Sequence, residues 1–481
     1  MLKVKMNLTQ KIALNATVSS GARIIELAIS LIIIGLITRF LGESGFGDYA
    51  TILAFVYIFT VLADLGLYSI VVREISREGA DEEKIINSAL TLRMVGGLLI
   101  LGSAYFISLF FPYSSQIQTG IAVAAGGFWF LSNCQVLMGL FQKHLRLDKV
   151  ALAELAGRII QLAAVWIVIY YPLAAHCDTP LYGIIFALAL GAALNFLIIL
   201  YFTSGYLKLK PRFDFSYWKY LLKQSFPLAI SAILVMIYFK LDTIFLSVMK
   251  TSEAVGIYSL SYKILESLIF FPAMIVGLAM PLMSKTFSTN RQKFYNIIQR
   301  TLNFLIIIIV PLAVGTLFAS EKIIRLVGGA EGFADSPMVL NILVFAIAMI
   351  FLGALFSNVI IAANKQKFLA QIYFIGAVVN VIANFIFIPR YSYYGAAVTT
   401  VLTEVLVTVL MIAMIIKTIK YIPSFKIFFK ALFASGAMAL ALYYFSHLNI
   451  FYLLIIGAAV YFPVLYLIGG ISKEEIGKLR D

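Results

Sequence analysis

The sequence predicts an all-α membrane protein with about fourteen transmembrane helices. Of its 481 residues, 62% are hydrophobic and 12% are charged, against roughly 25% charged residues in a soluble domain. Apolar runs of about 20 residues recur over the whole chain, and an α-helix needs this length to cross about 30 Å of hydrocarbon. Runs such as 306–310 are apolar on every face, whereas the strands of a transmembrane barrel alternate. The pattern therefore excludes a soluble fold and a β-barrel.

Short polar joints divide the chain into fourteen predicted spans. Because this number is even, both termini are expected on the same side of the membrane. The predicted spans are 19–41, 48–72, 87–111, 119–141, 150–171, 181–203, 224–248, 256–283, 299–318, 338–360, 368–388, 393–416, 428–446 and 449–469.

The distribution of Lys and Arg predicts on which side of the membrane the termini lie. The chain has 37 Lys and Arg against 23 Asp and Glu, a net charge of +14. Most basic residues lie in the terminal segments and the even-numbered joints, so the positive-inside rule predicts cytoplasmic termini. Attraction to anionic membrane lipids is a secondary effect, and the single basic face of a nucleic-acid-binding protein is not indicated. The odd-numbered joints hold Lys250, Lys322, Arg325 and Arg390.

The joints leave no room for a soluble catalytic domain. The longest joint, 204–223, has about 20 residues, and the sequence has no GxxxxGK[ST] phosphate loop. The two cysteines and three histidines are scattered along the chain, which does not fit a metal site or a catalytic triad. We therefore expect no enzymatic activity and no metal, nucleotide or redox cofactor.

Internal matches indicate a duplication of a six-helix unit. Short motifs recur in the same order about 210 to 225 residues later. Six spans per copy make the repeats parallel. The matched motifs are 47–50 with 256–259, 132–133 with 357–358, and 182–183 with 394–395. The expected domains are an N-terminal lobe over 1–203, a basic cytoplasmic linker over 204–223, a C-terminal lobe over 224–416, and helices 13 and 14 with a tail over 417–481.

Eleven charged residues fall inside the predicted spans. Each costs about 2.5 to 3.5 kcal/mol at the bilayer centre, so they must face water or one another. The basic residues are Arg23, Arg93, Arg158, Lys240 and Lys263, and the acids are Glu26, Asp64, Glu154, Asp242, Glu266 and Glu404.

Their spacing favours some structural pairs. Arg23 with Glu26, and Lys263 with Glu266, are three residues apart, and Glu154 with Arg158 are four apart, so each pair shares a helix face. For Glu154 and Arg158, a structural ion pair, or side chains that extend to the membrane interface, are alternatives to a role in transport. Arg93 has no acid within four residues, so its partner must be another helix, water or a ligand.

The charges concentrate on spans 1, 2, 7 and 8, which are equivalent in the two repeats. A midplane site between repeats is where transporters bind substrate. Pro227, Pro272 and Pro281 lie in spans 7 and 8 and interrupt the backbone hydrogen bonds of a helix. Such bends suit alternating access, although static kinks are also common.

Several motifs resemble one transporter family. The stretches 41–50, 64–67 and 71–74, and then 241–246 and 253–258, resemble Wzx-type polysaccharide flippases of the multidrug/oligosaccharidyl-lipid/polysaccharide exporter superfamily. The resemblance implies two six-helix lobes around a V-shaped cavity, with a lipid-tail groove at helices 13 and 14. It also implies transport of a polyprenyl-linked, phosphate-bearing oligosaccharide from the cytoplasmic to the outer leaflet of the cell membrane. Span 2 has no basic residue, unlike the peptidoglycan-precursor branch.

The predicted site follows from phosphate chemistry. Arginine binds phosphate in a bidentate manner and lysine acts as a point charge, so the predicted substrate-binding residues are Arg23, Arg93, Lys240, Lys263 and Arg158. The predicted coupling or ion-pair residues are Glu26, Asp64, Asp242 and Glu266, with a proton or sodium as counter-ion. Candidate sugar contacts are Tyr57, Trp129, Asn133, Tyr238 and Asn358.

Two alternatives stay open at this point. A cation-coupled multidrug exporter of the same superfamily would present acidic groups to its cavity. An intramembrane oligosaccharide polymerase or ligase would need a large outer loop.

The charge distribution yields a topology test. We expect single-cysteine probes at His176 and Tyr391 to react with an impermeant thiol reagent on intact cells, and probes at His144 and Lys210 to react only after permeabilisation. The opposite labelling pattern contradicts cytoplasmic termini.

Overall fold

The computed structural model describes residues 8–171, 180–329 and 332–470. Three residues used above, His176 and the side chains of Pro227 and Tyr238, lie outside this description. The regular structure of the described residues is helical. The helices are α1 Leu8–Asp64, α2 Leu67–Ile75, α3 Glu82–Ser108, α4 Ser115–Lys143, α5 Leu147–Tyr170, α6 Pro180–Ser204, α7 Phe215–Met249, α8 Ser252–Thr289, α9 Arg291–Gly328, α10 Ser336–Ala362, α11 Gln366–Ile419, α12 Lys426–Tyr444 and α13 Ile450–Leu467.

This architecture confirms the predicted all-α membrane fold. Eleven helical stretches in the described ranges are long and apolar enough to cross a membrane. Two of them, Gly21–Ile75 with 55 residues and Gln366–Ile419 with 54, are more than twice as long as the roughly 20 residues that one crossing needs. Each contains two predicted spans. The number fourteen itself stays a prediction.

Both long stretches are broken where the sequence predicts a joint. α1 is interrupted at Gly42, with φ 66° and ψ −171°, and α11 at Ser392, with φ 50° and ψ −131°. Glycine adopts positive φ readily, whereas a serine there is strained.

The predicted span 48–72 is not one continuous helix. Leu65 and Gly66 have positive φ, and they separate the end of α1 from α2. The Asp64 carboxylate accepts the Gly66 N–H at 3.2 Å and so stabilises the turn. The hydropathy of this stretch is continuous, which is why the pattern alone did not predict the break.

The chain divides into two compact units, Met1–Gly256 and Ile257–Asp481. In the first unit, α2 packs with α3, α4, α5 and α6 around a core that contains Val71, Leu137 and Ile199. The joint 204–223 belongs to this unit and is held against α3. Asn87 of α3 donates to the Lys208 carbonyl at 2.9 Å and accepts the Lys210 N–H at 3.2 Å.

Two glycines make a reciprocal close contact. A Cβ on Gly47 would lie 1.7 Å from the Ser252 carbonyl oxygen, and a Cβ on Gly256 would lie 2.0 Å from the Glu43 carbonyl oxygen. Each glycine therefore touches the residue four positions before the other. The duplication matched these same two glycines, and the contact is symmetric in the way that two copies of one motif would produce.

In the second unit, α12 and α13 pack on α9 around Met438 and Tyr461. Pro311 lies inside α9 and has no N–H to donate to the carbonyl of Ile307, four residues earlier. The Tyr461 hydroxyl donates to that carbonyl at 2.9 Å. A side chain of α13 thus replaces the backbone hydrogen bond that the proline removes.

This replacement predicts a dependence between two substitutions. Tyr461→Phe should lower the free energy of unfolding by about 1 to 3 kcal/mol, because the part-buried Ile307 carbonyl loses its donor. In a Pro311→Ala background the loss should be smaller, since the substituted residue would supply a backbone N–H. Thermal unfolding of the purified single and double variants measures both effects, with the exposed Tyr466→Phe as control. Equal losses in both backgrounds would contradict this account.

Candidate functional site

The nine charged residues of the predicted site lie on five helices. Seven are in the first compact unit, and Lys263 and Glu266 are in the second. In chain order they are Arg23, Glu26 and Asp64 on α1, Arg93 on α3, Arg158 on α5, Lys240 and Asp242 on α7, and Lys263 and Glu266 on α8.

Arg93 is completely buried and is bonded within the protein. Its side chain is 0% exposed and its Nη1 lies 2.9 Å from Asp64 Oδ1. The guanidinium also donates to Ser132 Oγ at 2.6 Å and to the Ala63 carbonyl at 2.5 Å. A further bond reaches Gln135 at 3.2 Å. Arg93 therefore joins α3 to α4 and to the end of α1.

This position gives Arg93 a clear structural effect. The Ala63 carbonyl belongs to the last turn of α1, where carbonyl groups lack helical partners. Arg93 supplies a donor to that carbonyl and a counter-charge to Asp64, directly before the turn at Leu65 and Gly66. The missing acidic neighbour in the sequence indicated a partner on another element, and that partner is Asp64.

Four charged groups meet between α1 and α5. Arg23 Nη1 lies 2.9 Å from Glu26 Oε2, which confirms the expected pairing. Glu154 of α5 lies within electrostatic reach of Glu26, Arg23 and Arg158. Arg158 itself donates to Gln161 at 2.9 Å. The sequence placed Glu154 and Arg158 on one face, but the proximity of Glu154 to Glu26 is tertiary and was not predicted.

The group holds two basic and two acidic side chains. The Glu26 side chain is 8% exposed, whereas the Arg23 side chain is 52% exposed and Arg158 is exposed. The two arginines are therefore the accessible members of this group.

The remaining predicted residues lie on α7 and α8. The Lys240 ammonium is 5.5 Å from the centre of the Tyr57 ring, a cation–π contact. Asp242 is buried. Lys263 and Glu266 form the expected ion pair at 2.8 Å.

Three of the candidate sugar contacts donate hydrogen bonds to backbone carbonyls of the protein. The Trp129 indole N–H donates to the Met94 carbonyl at 2.9 Å, and Asn133 donates to the Trp129 carbonyl at 2.8 Å. Asn358 donates to the Ala354 carbonyl at 2.8 Å. These bonds fit a packing role for the three side chains.

A buried group of oxygen-bearing side chains on α11 was not predicted. Asn384 donates to Asn380 Oδ1 at 3.0 Å, and Asn380 donates to Thr403 Oγ1 at 3.4 Å. Glu404 is 3% exposed, and Thr399 is fully buried. The spacing of four residues between the two asparagines, and between the two threonines, is the sequence signal that could have identified this α11 oxygen cluster.

Comparison with known proteins gives family matches over much of the chain. A family model described as polysaccharide biosynthesis protein matches residues 12–287. A second model, described as MatE, matches residues 227–386.

Two curated relatives come from Haloferax volcanii. The chain is 25% identical over 382 residues to the probable low-salt glycan biosynthesis flippase Agl15, covering 77% of this chain and 76% of the relative. It is 23% identical over 452 residues to the probable flippase AglR, covering 90% and 89%. Among solved structures, the lipid II flippase MurJ in an inward closed conformation superposes with a TM-score of 0.75 at 16% identity, covering 94% of this chain and 98% of that one. That likeness shows a common fold.

The contacts of Arg93 predict a loss of stability on neutralisation. Arg93→Gln should lower the free energy of unfolding by about 3 kcal/mol or more, because it leaves Asp64 without its counter-charge. Adding Asp64→Asn should recover part of this loss. Lys263→Gln is the matched control, since its ion pair is partly exposed and contributes about 1 kcal/mol or less. Thermal unfolding of the four purified proteins measures these effects, and an Arg93→Gln protein as stable as the control would contradict the structural role.

Proposed function

This chain belongs to the polysaccharide biosynthesis protein family, and on that basis we propose that it is a flippase for a lipid-linked oligosaccharide. The substrate is a polyprenyl chain joined through phosphate or pyrophosphate to a sugar head. The protein moves it from the cytoplasmic to the outer leaflet of the cell membrane by alternating access, with both termini in the cytoplasm. The names of the Haloferax relatives, which are glycan biosynthesis and flippase names, support this proposal.

One structural observation carries the choice of substrate. Among the eleven charged residues of the predicted spans, the exposed ones are basic, and three of the six acids are buried. The Arg23 and Lys263 side chains are 52% and 41% exposed, and Arg158 is exposed. Glu26, Asp242 and Glu404 are 6%, 1% and 3% exposed. Accessible arginine and lysine bind phosphate, so the accessible charge suits an anionic lipid.

The same observation weighs against a cation-coupled multidrug exporter, which is the second candidate. An exporter of organic cations needs accessible acids in its cavity. The MatE match favours this candidate, but it covers a shorter range than the polysaccharide biosynthesis match. We therefore place the multidrug exporter second.

Two energy sources are compatible with export. Moving one negative charge outward across an inside-negative membrane gains about 2.3 kcal/mol per 100 mV. A coupling cation, sodium or a proton, is the other source. The α11 oxygen cluster supports cation binding, since hard cations take carboxylate, amide and hydroxyl oxygens as ligands, and ionisable groups within membranes mark ion pathways.

Reconstitution tests the proposed flippase directly. Proteoliposomes should expose a fluorescent polyprenyl-pyrophosphate oligosaccharide to a glycan-cleaving enzyme that cannot enter the vesicle, faster than protein-free vesicles do. The Arg23→Gln, Arg158→Gln double variant should lose most of this activity, because the two exposed arginines are gone, while Lys210→Gln in the 204–223 joint should not. Ethidium transport without movement of the oligosaccharide lipid would favour the exporter.

The same vesicles separate the energy sources. A potential imposed by potassium and valinomycin should accelerate flipping if charge movement drives it. A sodium or pH gradient at zero potential should accelerate flipping only if a cation is coupled, and Glu404→Gln should abolish that acceleration. Rates that respond to neither gradient would contradict cation coupling.

A further inference from the structure

A groove runs along the surface between α1 and α5. Its volume is about 840 Å³, and its walls are apolar and aromatic side chains. Ile32 and Leu36 line it from α1, and Ile159 and Trp166 line it from α5, with Tyr171 at the far end. Most of these side chains are exposed, Trp166 at 48% and Tyr171 at 56%. The groove therefore presents an open apolar surface that suits a hydrocarbon chain.

The charged group of α1 and α5 lies at one end of this groove. Arg158 directly precedes the lining residue Ile159. Glu26 and Arg23 lie about one and a half and two and a half turns before Ile32 on α1, and Glu154 lies about one turn before Arg158 on α5. α6 also packs on α5, and its sequence over 180–204 contains no Asp, Glu, Lys or Arg. No acid of α6 therefore lies beside Arg158 at this end of the groove.

Packing of α5 on α6 sets the direction of Arg158. A Cβ on Gly157 would lie 2.7 Å from the Gly191 carbonyl oxygen, so this face of α5 is pressed against α6. Arg158, the next residue, is turned to the open side and is exposed. Its bond to the buried Gln161 points toward the C-terminal end of α5. Arg158 thus does not reach back toward the predicted cytoplasmic end of the helix, which argues against a simple interface anchor.

The depth of Arg158 within its predicted span restricts which lipid can place a phosphate beside it. Arg158 lies eight residues inside the predicted span 150–171, which is about 12 Å along the helix axis. A resident phospholipid keeps its phosphate in the headgroup region, outside the hydrocarbon of about 30 Å. A phosphate at Arg158 therefore belongs to a lipid whose head is crossing the membrane.

We propose that the α1–α5 groove binds the phosphate-proximal part of the polyprenyl chain of the transported lipid, with its phosphate held by Arg158 and Arg23. This proposal rests on the proposed flippase function and assigns the lipid chain to the first compact unit. The guanidinium groups offer charge-assisted hydrogen bonds to the phosphate oxygens. The groove covers about 18 Å of α5 from Ile159 to Tyr171, enough for the first part of a long isoprenoid chain.

Photo-crosslinking tests this site without requiring transport. The probe is a polyprenyl monophosphate with a diazirine on an early isoprene unit, added to the full-length protein in phosphatidylcholine nanodiscs. We expect crosslinked peptides from 159–167 of α5 and 32–36 of α1. Arg158→Gln should weaken probe binding about tenfold, since it removes a charge-assisted bond. Leu162→Trp should also reduce crosslinking, because it fills the groove.

Matched controls separate the outcomes. Leu190→Trp makes the same exchange at an exposed position of α6 outside the groove, and it should crosslink like the wild type. Thermal unfolding of each variant confirms that it is folded. Crosslinking in the groove that is unchanged in Arg158→Gln overturns the phosphate assignment. Displacement of the probe by an equal amount of phosphatidylglycerol overturns the choice of ligand, because the groove would then be a general anionic-lipid site.

Crosslinking in the groove and flipping of the lipid are measured separately, so the two assays distinguish the groove proposal from the proposed function. A protein that flips the oligosaccharide lipid but shows no crosslink in the groove overturns only the groove proposal. A protein that crosslinks the probe in the groove but does not flip the oligosaccharide lipid overturns the proposed function.

Discussion

The high cost of charge in hydrocarbon constrains this structure more than any other factor. Each charged side chain within a span must be paired, protonated or given access to solvent, and the first compact unit shows pairing and exposure. Arg93 is buried and bonded to Asp64, Ser132 and backbone. Glu26 is buried and paired with Arg23. Arg158 is exposed on the open side of α5. These environments separate the buried charges that hold the fold from the exposed arginines that a ligand can reach.

The same constraint acts on the backbone. In a membrane the polar groups of an interrupted helix need partners from the protein itself. At the end of α1 the Ala63 carbonyl receives a donor from Arg93, and in α9 the Ile307 carbonyl receives one from Tyr461. In both places a side chain from another helix supplies the missing donor. These two interruptions of backbone hydrogen bonding are therefore tied to the tertiary packing.

The sequence predicted the local features of the structure but not its tertiary contacts. Composition and run length predicted the helical membrane fold, and spacing along a helix predicted the Arg23–Glu26 and Lys263–Glu266 pairs, because these depend only on helical periodicity. The proximity of Glu26 and Glu154 depends on the rotation of α1 against α5, which a single sequence does not encode in any visible pattern. The break at Leu65 and Gly66 was hidden by continuous hydropathy. The α11 oxygen cluster was overlooked because uncharged Asn and Thr give a much weaker signal in a span than a charged residue does.

The charge state of the α1–α5 group bears on how transport is energised. A proton bound by Glu26 or Glu154 removes one negative charge from the group, so it favours a phosphate at Arg158. By linkage, a bound phosphate favours retention of the proton by the same factor. Antiport requires the opposite relation, in which the substrate and the counter-ion displace each other. A proton at this site therefore travels with the phosphate or stays in place, and it cannot drive the phosphate outward by exchange. With the phosphate bound as proposed, the membrane potential or a cation bound elsewhere is left as the driving force, and the separate α11 oxygen cluster is the proposed place for such a cation.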